Sequence, residues 1–155
     1  MFLPGALAMS LEGFRRTHDP RGARAIDAHV TVVHRSTPEI EARLPAARGN
    51  GTFRLGLGVV VELGAESGGH GAALTVLDAE RGLERLCDAM AVPMSTLPHI
   101  TLLHPRNSSG REAQLAALDA AKRLTLPRDF VVDEITLIEE RDDAWREIQR
   151  IRLGP

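Results

Sequence analysis

At 155 residues, with 43% hydrophobic and 26% charged side chains, the chain has the size and make-up of one globular domain with a substantial core. A net charge of −2 excludes a protein that holds long nucleic acid by bulk phosphate attraction. It leaves room for a small phosphate ligand, because the basic charge is almost all arginine, with Lys122 the only lysine, and arginine suits bidentate phosphate contacts.

The single cysteine, Cys87, excludes an internal disulfide framework and agrees with a reducing compartment. The mildly apolar start precedes Arg15 and Arg16, the wrong order for a secretory leader, and no apolar run reaches membrane-spanning length. A cytoplasmic monomer is expected.

Leu3, Leu7, Leu11 and Phe14 recur at helical spacing, so the first element reads as an amphipathic helix ending near Thr17, broken by Asp19-Pro20. Residues 26–34 read as a strand. Ser36-Thr37-Pro38-Glu39 starts a short helix that ends by Pro45, and residues 46–52 read as a loop. From Phe53 to Leu63 apolar residues alternate with Arg54, Gly56, Gly58, Val60 and Glu62, a strand signal. Residues 64–71 form a flexible connection to a second strand over 72–77.

Leu83, Leu86, Cys87 and Met90 then mark a helix, and residues 98–104 a strand. After the turn Asn107-Ser108-Ser109-Gly110, a helix over 111–124 is apolar at Leu115, Leu118 and Ala121. Two strands, 130–139 and 144–153, flank the turn Arg141-Asp142-Asp143. Helix followed by strand occurs in both halves, which predicts a bilobal α+β fold with two related lobes in a single domain spanning 1–155.

Two stretches share one pattern 70 positions apart: His29-Val30-Thr31-Val32-Val33-His34 and His99-Ile100-Thr101-Leu102-Leu103-His104. In a strand, His29 and Thr31 share one face and Val30 the other, and likewise His99 and Thr101 against Ile100. If the halves pair about a pseudo-two-fold axis, two imidazoles and two hydroxyls converge. One neutral imidazole can then accept a proton, the other as imidazolium can donate one, and the hydroxyls can stabilise phosphate oxygens.

On these motifs the chain resembles the 2H phosphoesterase superfamily, which includes 2'-5' RNA ligases (LigT-like) and cyclic nucleotide phosphodiesterases and is defined by two His-x-Thr/Ser-x motifs. The resemblance covers most of the chain. It implies a LigT-like fold, pseudo-symmetric lobes of antiparallel sheet with outer helices around a central cleft. It also implies hydrolysis of 2',3'-cyclic or related 2'-linked phosphodiesters without metal or other cofactor. His29 and His99 become the acid/base pair and Thr31 and Thr101 the phosphate binders. The partner implied is a small nucleotide or an RNA end; 2'-5' ligation, or nucleotide binding without turnover, are the alternatives. Members usually begin with a strand before the first helix, for which residues 1–4 leave little room.

Arg35 and Arg106 follow the two motifs and are candidate phosphate contacts. His34 and His104 lie five residues past their partner histidines, an odd offset that puts them on the opposite strand face, so no zinc site is expected. Aromatic residues that could stack on a base are few, with Phe53, Phe130 and Trp145 the candidates beyond the first helix.

Overall fold

A computed structural model of the chain describes residues 1–142 and 144–154. Helix α1 (Gly5–His18) buries Leu7, Leu11 and Phe14 on the stripe their spacing dictates. Asp19-Pro20 does end it, but the same pair starts a second helix, α2 (Pro20–Ala25), that the sequence reading lacked. Asp19 accepts a hydrogen bond from Gly22 N–H and Pro20 occupies the first helical turn, so a pair read as a breaker is also a cap. Helix α3 (Pro38–Arg43) starts within the expected Ser36–Glu39 stretch, and the structure shows Thr37 as its cap. Beyond it the expected loop is a 3₁₀ turn, Leu44–Asn50, held because Leu44 and Ala47 are buried.

Strands β1 (Phe53–Leu63), β2 (Gly71–Leu77), β3 (His99–Leu103) and β4 (Asp129–Val132) form one antiparallel sheet in the order β3-β2-β1-β4. Helices α4 (Gly82–Met90) and α5 (Arg111–Ala121) connect its strands. The expected strand over 130–139 is divided. Phe130 and Val132 pair with Leu55 and Phe53 of β1, and after Asp133 the chain leaves the sheet as β5 (Glu134–Arg141). β5 makes a separate hairpin with β6 (Ala144–Arg152). Asp143, part of the turn expected there, lies outside the described residues.

One face of the four-stranded sheet is core: Phe53, Leu55, Leu74, Val76, Ile100, Leu102, Phe130 and Val132 are all buried. They pack with α1 residues and with Leu83, Leu86, Cys87 and Met90 of α4 in one apolar cluster. Alternation puts the intervening residues on the opposite face, where His99 pairs with Thr75 and Thr101 with Ala73.

Two side chains depart from the period. Val59, expected on the apolar face, is 69% exposed, because the β1–β2 register shifts between Leu57 and Val60. Thr75 Oγ1 binds both Val59 N–H and Val59 C=O there, and a Cβ at Gly58 would stand 2.3 Å from that hydroxyl. On α5, Leu115 is 49% exposed while Gln114 is fully buried. The buried stripe runs through Gln114, Ala117, Leu118 and Ala121, and Gln114 Nε2 donates to Gly71 C=O at 2.7 Å. Among the described residues no helix is long and apolar enough to cross a membrane.

Candidate active site

The second motif lies on β3, as expected. The first is not a regular strand: within 26–34 only His29 and Val30 pair, by single antiparallel bridges to Phe2 and Ile100. Towards β3 the pairing ends at the Val30–Ile100 bridge. On the other side Ala28 N–H is already given to the Glu12 carboxyl of α1. The N-terminal residues supply the outer partner that four residues seemed too few to form. Phe2 bridges His29, Met1 N donates to Val30 C=O, and Val30 N–H donates to Met1 C=O, each at 2.9 Å.

This pairing settles where the motif side chains stand. Val30 and Ile100 face each other and are fully buried. One step either side, the antiparallel register sets His29 alongside Thr101 and Thr31 alongside His99, all four partly exposed on the face away from the core. A local two-fold axis relates them.

The two imidazoles are held identically. His29 Nδ1 lies 2.8 Å from the carbonyl of Asp27, and His99 Nδ1 lies 2.8 Å from the carbonyl of Leu97. A carbonyl only accepts, so each Nδ1 carries hydrogen and each Nε2 is free for proton transfer. Burial pushes the His29 imidazolium down to about 4. Its bond to Asp27 opposes this, and the positive charges of the Met1 amino group, Arg15 and His99 add to it. His29 is therefore neutral near pH 7.

Three supporting residues escaped the sequence reading. Glu12 accepts from Ala28 N–H, fixing the segment before His29, and pairs with Arg15 at 2.6 Å. Arg15 is only 3% exposed. Its signal was legible: it falls four residues after Leu11, on the buried stripe of α1. Asp19, buried, accepts from His104 N–H at 2.9 Å and from Asn107 Nδ2 at 2.8 Å, tying the end of β3 to the α1–α2 junction. Nothing in its Asp-Pro context distinguished it from an ordinary helix breaker.

Arg35 and Arg106 are exposed, and among the described residues neither guanidinium forms an ion pair or a hydrogen bond with His29, Thr31, His99 or Thr101. Arg106 meets the motif region through its backbone, whose N–H donates to His104 Nδ1 at 3.1 Å. His34 and His104 are exposed beyond the pairing.

No protein-family model matches this sequence, and no curated protein sequence does. Solved structures do match, among them E. coli LigT complexed with 3'-AMP, at 22% identity and TM-score 0.59, and E. coli LigT complexed with phosphate, at 22% identity and TM-score 0.60. The match takes in 99% and 100% of this chain and 94% of each LigT chain. The fold is that of LigT. With coverage this complete, the LigT likeness extends over the four-stranded sheet, its helices and the β5–β6 hairpin together.

Proposed function

We propose that this protein is a 2H-type phosphoesterase that hydrolyses a 2',3'-cyclic phosphate, or a related 2'-linked phosphodiester, on a small nucleotide or RNA end. The observation that carries this reading is the matched pair of Nδ1 bonds on either side of the Val30–Ile100 bridge. It presents two free imidazole Nε2 atoms, each beside a threonine. The LigT fold supports it.

His29, held neutral, is the general base. Its Nε2 takes a proton from water as the oxygen attacks phosphorus. His99, as imidazolium, gives its Nε2 proton to the ribose oxygen as the P–O bond breaks. The Thr31 and Thr101 hydroxyls donate to the non-bridging oxygens, where negative charge rises. The two histidines exchange protonation states in the turnover and are reset through solvent. Because the reaction uses side chains alone, it needs no metal.

The test is an assay of nucleoside 2',3'-cyclic phosphates and a 2'-5'-linked dinucleotide in EDTA. Turnover should survive EDTA and fall by about 10²–10⁴ in His29→Ala and in His99→Ala. Activity lost to EDTA, or retained in both variants, overturns the proposal. Binding without turnover points instead to a nucleotide-binding protein, and joining of RNA ends to a ligase.

A further inference from the structure

A groove of about 520 Å³ opens between the segment leading from α2 to His29 and the β5–β6 hairpin. It reaches the motif pair at two points. Phe2 lines it, and the Phe2 ring meets the His29 imidazole edge-on with centroids 6.0 Å apart. Asp27 lines it too, and the carbonyl of Asp27 holds His29 Nδ1. On the hairpin side stands Trp145, 38% exposed. The other stacking candidates, Phe53 and Phe130, are buried in the core.

The charges of the groove argue for what it takes. Arg24 and Arg150 are set against Asp27, Glu134 and Glu147. Arg150 is committed to Glu134 at 3.3 Å and to Glu147 at 2.6 Å. That leaves Arg24 and Asp27 without side-chain partners among the described residues. A surplus of carboxylates is a poor seat for a second phosphate. It suits a neutral, hydroxyl-bearing group, and an exposed indole offers a flat π-face to a base. The volume is that of a cleft for a small organic ligand rather than of an anion pocket.

We infer that this groove is the nucleoside subsite of the phosphoester cleft, with the base on Trp145, ribose hydroxyls toward Asp27, and the phosphate between Thr31 and Thr101. The inference rests on the phosphoesterase reading. It predicts a ligand with a base, not a bare sugar phosphate.

Trp145 is the only tryptophan and the chain has no tyrosine, so intrinsic fluorescence reports on this groove. Adenosine 2',3'-cyclic phosphate should quench it saturably, adenosine more weakly, and inorganic phosphate not at all. Trp145→Ala should raise KM for the cyclic nucleotide roughly tenfold and leave kcat within about twofold, with Trp145→Phe restoring most of the loss. If Trp145→Ala does not fold, Trp145→Leu against Trp145→Phe makes the same comparison. Equal quenching by inorganic phosphate, or an unchanged KM without an aromatic at 145, overturns the subsite while leaving turnover, and hence the phosphoesterase reading, standing. Quenching by the nucleotide without turnover does the reverse.

Discussion

Val30 and Ile100 meet across a single antiparallel bridge, both fully buried, and that contact fixes the distance and facing of the two histidine–threonine pairs. The apolar residues between the polar ones are therefore the register pin of the site. Ile100→Ala should cost about 2–5 kcal/mol in chemical denaturation. It should also lower kcat/KM although Ile100 touches no substrate. A variant of native stability, or one destabilised with unchanged kcat/KM, contradicts this role.

The depressed His29 titration sets the pH behaviour. A histidine base works only when neutral, and burial holds His29 neutral down to about pH 4. The acid limb of the kcat/KM profile should therefore fall well below the 6.5 of a free imidazole, and His29→Ala should abolish that limb. Stability follows the same sign. The unfolded chain takes up the proton near 6.5 and the folded chain only near 4, so stability is full above about pH 6.5 and declines as pH falls toward 4. With partial exposure of the ring discounted, the loss is about 1–2 kcal/mol. Denaturation midpoints of the parent and of His29→Ala between pH 4 and 7 measure it; parallel curves would exclude the assignment.

Much of this site was legible because strand alternation and the repeat both concern local, one-dimensional order. His29, Thr31, His99 and Thr101 share a face for the reason the sequence suggests, and β1, β2, α4 and β3 lie where their periods put them. What could not be read depends on long-range partners. The first motif is a two-residue bridge rather than a strand, since its distant partners Met1, Phe2 and Ile100, and the Glu12 carboxyl that takes Ala28 N–H, decide how far it pairs. The division at Asp133 depends on which sheet each half joins, although Asp133-Glu134 interrupts the apolar run there and shifts its phase from Phe130 and Val132 to Ile135 and Leu137. Val59 and Leu115 follow the expected periods in sequence and break them in space, through a bulge and a buried glutamine.

Asp19 holds three donors at once: Gly22 N–H, His104 N–H and Asn107 Nδ2. Removing its carboxyl group in Asp19→Ala strands these donors in a buried place and should cost about 2–4 kcal/mol. Asp19→Asn keeps one acceptor oxygen and should cost less. Amide exchange at His104 should quicken in both, more so in the alanine variant. Protection at His104 equal to that of the parent would rule out the tie.

Glu12 separates positioning from charge. Its carboxyl group accepts Ala28 N–H, one residue before His29, and neutralises the nearly inaccessible Arg15. In Glu12→Ala both contacts go, and an unpaired buried cation should cost about 3–5 kcal/mol. Glu12→Gln retains an acceptor for Ala28 but leaves the positive charge of Arg15 unopposed. Arg15 already lowers the His29 pKa, so that variant should shift the acid limb of kcat/KM further down while keeping most of its plateau. Glu12→Ala, by freeing the segment, should lower the plateau itself. An acid limb that stays in place in Glu12→Gln would mean that burial alone sets the titration of His29.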